Sequence, residues 1–260
     1  MAIHDFNAQR LWLEADLIEG GEIAMTREQA NYLRNVLRLG DGDKILVFNG
    51  RDGEWRARIT PVGKRDCLLH IESLSRPQTV PQQLVYLFAP LKRARLDYMV
   101  QKAVELGASR LVPVLTRRTV AERINLDRMR ANAIEAAEQC GILSIPEIDA
   151  PLKLEARLAN WPPDTPLIFC DEAADIASPA DALADLATRT PDQSGIGVLI
   201  GPEGGFDENE RALLLRQPFV TALSLGPRIM RADTAAVAAL ALVNAILGDW
   251  RQGATSKMKS

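Results

Sequence analysis

Three glycines and a carboxylate directly follow a short apolar run, an arrangement that is typical of a ligand-binding loop. The run Gly197-Val198-Leu199-Ile200 is a candidate buried strand, and it leads into Gly201-Pro202-Glu203-Gly204-Gly205-Phe206. In an open α/β sheet, ligands bind at the carboxyl ends of the strands. Glycines there let backbone N–H and C=O groups approach a ligand, while a glutamate would repel phosphate but accept hydrogen bonds from hydroxyl or amino groups. We therefore expect a neutral or cationic ligand, although a tight turn into the next helix would use the same residues.

A second segment combines accessible backbone with two arginines, and it reads Leu225-Gly226-Pro227-Arg228-Ile229-Met230-Arg231. Its backbone could grip a flat heterocycle, with Ile229 and Met230 against the face of the ring. Arg228 and Arg231 would bind a phosphate or stabilise an anion that forms during a reaction. A salt bridge is the alternative role for each arginine.

The sequence lacks the motifs of several other common kinds of binding site. Neither the phosphate-binding pattern with its lysine nor G-x-G-x-x-G after a strand occurs, and Gly195-Ile196-Gly197 precedes its strand. No metal-ligand spacing relates the histidines and cysteines, which are His4, His70, Cys67, Cys140 and Cys170. We expect neither a metal site nor a disulfide framework.

The composition is that of an ordinary globular protein. The 260 residues carry a net charge of −3, and 47% are hydrophobic and 25% charged. This length allows one large domain or two smaller ones. The first residues, Met1 to Phe6, lack the features of a signal peptide, and no segment approaches the roughly 18 apolar residues of a membrane span. We expect a cytoplasmic protein that does not bind a membrane.

The pattern of apolar residues changes along the chain and predicts two domains. Residues 1–74 hold short β-prone runs separated by Asn-Gly and Asp-Gly turns, which predicts a small β domain, and the proline-containing residues 75–82 predict a linker. In residues 83–250, apolar runs alternate with helical periodicity, which predicts an α/β domain with a mostly parallel sheet covered on both faces. Residues 251–260 predict a flexible tail.

The last predicted helix, from about Thr234 to Leu247, is apolar on nearly every side. Such a helix is buried all round, in a core or in a subunit interface. Asp233 or Thr234 is the expected cap at its start, and Gly248 is expected to close its end.

The charge is unevenly distributed. Residues 1–75, 76–130 and 131–260 carry net charges of −2, +7 and −8. A basic middle segment of this kind could meet a polyanion, which makes nucleic acid a candidate partner, and a solvated basic face is the alternative.

At the two loops the chain resembles the SPOUT class of S-adenosylmethionine-dependent RNA methyltransferases and, within it, the RsmE family. Gln101 to Gly107, Glu135 to Gln139 and Pro146 to Ile148 are similar to further family motifs, while Asn35 to Arg38 with Gly42-Asp43 is similar to the family's PUA-like domain. The resemblance covers nearly the whole chain. It departs where Ala232 and Asp233 stand in place of the usual Thr and Glu, near Ile142, where an arginine is common, and at Asn31, where a histidine is frequent.

The resemblance implies an S-adenosylmethionine-dependent methyltransferase that modifies N3 of a uridine in 16S ribosomal RNA of the small (30S) subunit. It implies a trefoil-knotted α/β domain after a small N-terminal PUA-like β-barrel, a homodimer with the last helix in or near its interface, and no metal. The catalytic candidates are Arg231, Arg228 and Glu203, with solvent as the other possible base. The expected cofactor-binding residues are Phe169, Ile200, Gly201, Glu203, Gly204, Gly205, Leu225, Gly226, Ile229, Met230, Thr234 and Ala235. The expected RNA-binding residues are Arg38, Lys92, Arg93 and Arg95.

Two other functions stay open. One is an α/β enzyme that uses a nucleotide or sugar phosphate, which the absence of a lysine from the glycine loop disfavours. The other is a non-catalytic RNA-binding protein with a degenerate pocket, which the intact glycine and arginine motifs disfavour.

Overall fold

The computed structural model describes residues 8–63, 66–120, 123–175, 178–190 and 195–251. The chain forms two compact units, one of Met1–Val80 and Ile134–Ile145 and the other of Pro81–Ala133 and Pro146–Ser260. His4, the segment before Asn7 and the tail beyond Arg251, on which predictions were made, lie outside the described residues.

The first unit is built on a five-stranded sheet. Its elements are β1 (Arg10–Trp12), β2 (Glu22–Ala24), α1 (Arg27–Asn31), one turn of π-helix (Tyr32–Val36), β3 (Lys44–Phe48), β4 (Glu54–Val62) and β5 (Asp66–Arg76). The strand order is β1-β3-β4-β5-β2, with β1 parallel to β3 and the other pairs antiparallel. Alternate residues of the strands point into one apolar core, as the period of two in the sequence requires.

A buried ion cluster lies at one end of this sheet. The carboxylate of Glu54 is 1% exposed and accepts hydrogen bonds from Arg10 Nε at 3.0 Å and from Arg76 Nη2 at 2.7 Å. The turn before Glu54 needs glycine, since Gly53 has φ +85° and a Cβ there would lie 2.5 Å from the carbonyl oxygen of Arg76. The predicted Asp-Gly turn is thus required by its surroundings.

The second unit is an α/β layer. Its elements are β6 (Leu84–Phe88), α2 (Arg93–Glu105), β7 (Arg110–Leu115), α3 (Leu126–Cys140), β8 (Glu147–Ile148), β9 (Leu152–Lys153), α4 (Leu154–Ala159), β10 (Leu167–Cys170), α5 (Pro179–Arg189), β11 (Ile196–Ile200), α6 (Glu208–Leu215), β12 (Val220–Leu223) and α7 (Ala232–Ile246). The second half of α3 belongs to the first unit.

All strand pairs of the second sheet are parallel, in the order β12-β10-β11-β6-β7-β8, with β9 also pairing with β7. The mixed α/β fold predicted from the sequence is therefore confirmed. This order places β12, β10 and β11 side by side, so that the loops that follow them meet at one edge.

Helix α7 begins earlier in the chain than expected. It begins at Ala232 with the backbone of Arg231 as its N-cap and no capping side chain, so the prediction of Asp233 or Thr234 as the cap was wrong. Both residues already have helical backbone, as does Ala232 before them, because the helix starts directly after the extended backbone of Arg231. Within one chain the helix is buried on one face only, through Ala236, Ala239, Leu240 and Val243, while Val237 and Leu242 stay partly exposed.

In the part of the chain that the structure describes, no helix has the length and apolarity needed to cross a bilayer.

Candidate active site

A cleft of about 550 Å³ opens at the carboxyl ends of β10, β11 and β12. Its volume lies within the range of about 300–1,000 Å³ found for small-molecule sites. The loop after each of the three strands contributes, together with α6 and the start of α7. The lining residues are Cys170, Asp171, Glu172, Ala173, Ile200, Gly201, Pro202, Glu203, Gly205, Phe206, Arg211, Leu223, Leu225, Gly226, Pro227, Arg228, Ile229, Met230, Ala232 and Ala235.

The loop after β11 is shaped by its glycines. Gly205 has φ +69°, in the left-handed region, and its N–H donates to the carbonyl of Pro202 at 2.9 Å. A Cβ on Gly201 would lie 2.5 Å from the ring of Phe206, so only glycine fits beside that ring. Gly201 and Gly205 both line the cleft, and the absence of a side chain at Gly201 also leaves the room that the Phe206 ring occupies.

Phe169 and Gly204 do not line the cleft. The Phe169 ring is fully buried in the core and packs edge-on against the Phe206 ring, with 5.1 Å between the centroids. It lies beneath the loop, because its position on β10 points its side chain into the core. The carbonyl oxygen of Gly204 accepts a hydrogen bond of 2.7 Å from Arg118 Nη1.

The loop after β12 supplies most of the apolar wall. Leu225, Gly226, Ile229 and Met230 line the cleft, and Gly226 adopts φ +105°. Ile229 is 94% exposed, so its side chain would be covered only by a ligand or a partner.

Only one of the two arginines of this loop lines the cleft. Arg228 is exposed and lines the cleft, whereas Arg231 forms the N-cap of α7 outside the lining. From α7 itself, Ala235 lines the cleft but the exposed Thr234 does not.

The loop after β10 contributes residues to the cleft that the sequence motifs did not predict. Asp171 is 6% exposed, and its Oδ2 accepts a hydrogen bond of 2.8 Å from Arg211 Nε on α6. Cys170 also lines the cleft, and burial raises the pKa of its thiol to about 12. It therefore stays protonated and is a poor nucleophile. The sequence position of these residues could have predicted their role, because β10 was a predicted strand and polar residues follow its carboxyl end, where ligands bind.

Arginines from outside the motifs hold the glycine loop. Arg95 Nη1 lies 3.5 Å from Glu203 Oε1, and the side chain of Arg118 runs along Gly204, where an added Cβ would lie 3.5 Å from Cδ. The neighbouring Arg117 pairs with Asp207 at 2.9 Å. A hydrogen bond from the backbone of Glu210, aided by Arg117, lowers the pKa of Asp207, which caps α6. These contacts fix the loop against the turn after β7.

The predicted RNA-binding residues lie in different places. Lys92 and Arg93 are exposed at the start of α2, and Arg95, in the first turn of the same helix, reaches the glycine loop. Arg38 belongs to the first unit, where it is exposed and has φ +59°. Among the described residues, no cluster of histidine, cysteine and carboxylate side chains is arranged to hold a metal.

Comparison with known proteins decides the family. The family model described as an RNA methyltransferase domain matches residues 78–244, and that described as an RNA methyltransferase PUA domain matches residues 26–72. The chain belongs to the RsmE family of RNA methyltransferases.

Relatives named ribosomal RNA small subunit methyltransferase E align with nearly the whole chain. The protein named ribosomal RNA small subunit methyltransferase E in Synechocystis is 32% identical over 92% of this chain and 78% of its own, and that in Rickettsia conorii is 29% identical over 90% and 94%. The predicted membership in this family is therefore confirmed, including the PUA domain at the N-terminal side.

Two similar structures contain S-adenosylmethionine. A methyltransferase of Legionella pneumophila, solved with this cofactor bound, aligns with a TM-score of 0.79 at 28% identity over 92% of this chain and 98% of its own. The small subunit methyltransferase E of Neisseria gonorrhoeae, also solved with it, gives 0.77 at 26% identity over 94% and 100%.

Proposed function

We propose that this protein transfers a methyl group from S-adenosylmethionine to N3 of a uridine in 16S ribosomal RNA of the small subunit. The observation that carries the proposal is the cleft where three strand-end loops meet, one of them lined by the backbone of Gly201 and Gly205. It agrees with membership in the RsmE family and with the cofactor in the two similar structures.

The cleft fits the chemistry of this donor. Gly201 and Gly205 line the cleft without side chains, so their backbone groups are placed to bind ribose and adenine edges. The apolar residues Leu225 and Met230 offer a surface to the adenine face. Of the residues expected to bind the cofactor, those at the cleft are Ile200, Gly201, Glu203, Gly205, Leu225, Gly226, Ile229, Met230 and Ala235. When bound, the donor supplies a methyl group on a positively charged sulfur.

The acceptor needs help to lose its proton. Deprotonation of uridine N3 spreads negative charge over the neighbouring carbonyl oxygens, and a nearby guanidinium stabilises that charge. Arg228 lines the cleft, and Arg231, three residues later, is the N-cap of α7. Both arginines stay candidates for this role. Glu203 is one candidate base and solvent the other. Alignment of the two reactants supplies much of the remaining rate.

RNA binding follows from the basic residues. We propose that the first unit, through the PUA-like residues 1–74, and the segment 76–130 both contact the RNA backbone. Arg38, Lys92 and Arg93 are exposed and available for phosphate contacts that weaken as salt rises. Arg95 would first have to leave Glu203, from which its Nη1 is 3.5 Å away.

We further propose a homodimer and a trefoil knot in residues 83–250. The half-exposed face of α7, with Val237 and Leu242, is apolar, and a second copy would cover it. The knot would involve the chain near Gly201 and the segment Leu225–Arg231. The cytoplasmic location stays a prediction.

Methylation of undermethylated small subunits tests the proposed reaction. Purified protein, labelled S-adenosylmethionine and subunits from a strain that lacks the enzyme are combined, and the RNA is digested for mass spectrometry. We expect N3-methyluridine at one position. Binding of ATP in preference to S-adenosylhomocysteine would favour a nucleotide-using enzyme, and donor binding without product would favour a non-catalytic RNA-binding protein.

A further inference from the structure

One cation of the cleft is fixed in place by a buried carboxylate. Asp171, which is 6% exposed, accepts from Arg211 Nε at 2.8 Å and from the N–H of Ala173 at 3.1 Å. Arg211 Nη2 also donates to the carbonyl of Ala173 at 3.4 Å. The guanidinium is thereby held against the turn after β10.

The held guanidinium keeps unused donors at the cleft. A guanidinium has five N–H groups, and two of them donate to partners within the described part of the chain. The Arg211 side chain is still 38% exposed and lines the cleft. Because its position is already fixed, an anion that binds there meets a small ordering cost.

An acidic side chain lies on the same turn. Glu172 stands between the two residues that contact Arg211, is exposed and lines the cleft. Its Oε1 lies 3.5 Å from the point where a Cβ on Gly205 would be, so the carboxylate sits beside the glycine loop. The turn after β10 thus holds a cation from α6 in place and carries an anion of its own, and both line the cleft.

We propose that Arg211 binds the α-carboxylate and Glu172 the α-ammonium group of the amino-acid end of the methyl donor. Asp171 is then a positioning residue that acts through Arg211. This inference rests on the proposed function, since it assumes that the donor occupies the cleft. The charges suit a zwitterion, while the apolar residues Leu225 and Met230 suit the heterocycle at the other end of the molecule.

Arg228 is the other cation of the cleft, and it is a weaker candidate. It is exposed and belongs to the loop of Leu225 and Met230, which forms the apolar wall. It forms no ion pair with any residue that the structure describes, so binding would have to order its side chain.

Two ligands distinguish binding of the amino-acid end of the donor from binding of its adenosine end. S-adenosylhomocysteine carries the amino-acid end, whereas 5′-methylthioadenosine shares the adenosine and the sulfur but lacks that end. Titration calorimetry with both ligands compares wild type with Arg211→Met and Glu172→Gln. We expect Arg211→Met to weaken S-adenosylhomocysteine about 10- to 100-fold, because a charge-assisted bond is lost. Glu172→Gln should weaken it about 3- to 10-fold, and methylthioadenosine should change less than about twofold in both variants.

Controls keep the inference testable if Arg211→Met misfolds. The double variant Asp171→Asn/Arg211→Met removes the buried charge as well and should show the same ratio between ligands. Arg216→Met loses an equal charge at the end of α6, away from the cleft lining, and should bind both ligands like wild type.

Three results would overturn the assignment. They are equal losses for both ligands, an unchanged affinity for S-adenosylhomocysteine, and a loss confined to RNA binding, which would make Arg211 a phosphate contact. A wild-type protein that binds neither ligand would instead contradict the proposed function itself.

Discussion

Replacing Gly201 by alanine should damage the donor site through a single methyl group. The added Cβ would lie 2.5 Å from Cε2, 2.9 Å from Cδ2 and 3.1 Å from Cζ of Phe206. Carbon atoms in favourable contact are about 3.5–4.0 Å apart. The ring would have to retreat by about 1 Å, yet the edge-on contact with the buried Phe169 blocks that path.

The structure sets the expected size of the effect. Overpacking of this kind costs about 1–3 kcal/mol. If the clash is relieved by a shift of the Gly201–Phe206 loop and not of the core, the free-energy cost lowers the affinity for S-adenosylhomocysteine by about 5- to 150-fold. If the core around Phe169 shifts, the same cost lowers the melting temperature. Ligand affinity by calorimetry and thermal unfolding are therefore both measured on the same variant.

Gly204→Ala is the matched control in the same loop. Its Cβ would meet only the Arg118 side chain, at 3.5 and 3.6 Å, which is ordinary contact, and its φ is not in the left-handed region. We expect binding within about threefold of wild type. Wild-type affinity and stability in Gly201→Ala, or an equal loss in Gly204→Ala, would refute the reasoning.

Three further variants test other parts of the account. Arg231→Ala should abolish methylation while calorimetry still detects S-adenosylhomocysteine, and unchanged turnover would remove Arg231 from the mechanism. Leu242→Glu on the half-exposed face of α7 should shift the protein from dimer to monomer in sedimentation, and an unaltered dimer would place the interface elsewhere. Burial opposes ionisation of Glu54, but hydrogen bonds from Arg76 and Arg10 outweigh it, so the pKa of Glu54 is lowered. Its stabilisation is therefore complete above about pH 4.5 and lost as pH falls through the lowered pKa. Glu54→Gln should cost about 3–5 kcal/mol in urea unfolding at pH 7, and a loss below about 1 kcal/mol would contradict the buried cluster.

The sequence predicted the elements whose periodicity is local. Buried strands such as β6 and β11 were readable because an apolar run ends in a turn, and the loop after β11 was readable because glycines mark backbone that a ligand can approach. The start of α7 was misplaced, since Ala232 and Asp233 carry no signal that separates a cap from a first turn.

The rest of the site depends on contacts between distant residues. Arg118 and Gly204 form a hydrogen bond although 86 positions separate them in sequence, and 40 positions separate Asp171 from Arg211. No local sequence pattern predicts either pair. The family resemblance implies a cofactor contact for Phe169, whereas strand alternation turns its ring into the core against Phe206.

A crystal structure of the protein with S-adenosylhomocysteine tests the central claim most directly. The account predicts density for the ligand between the loops after β10, β11 and β12, with backbone groups of the Gly201–Phe206 loop in contact with it. A ligand bound elsewhere, with this cleft empty at saturating concentration, would contradict it.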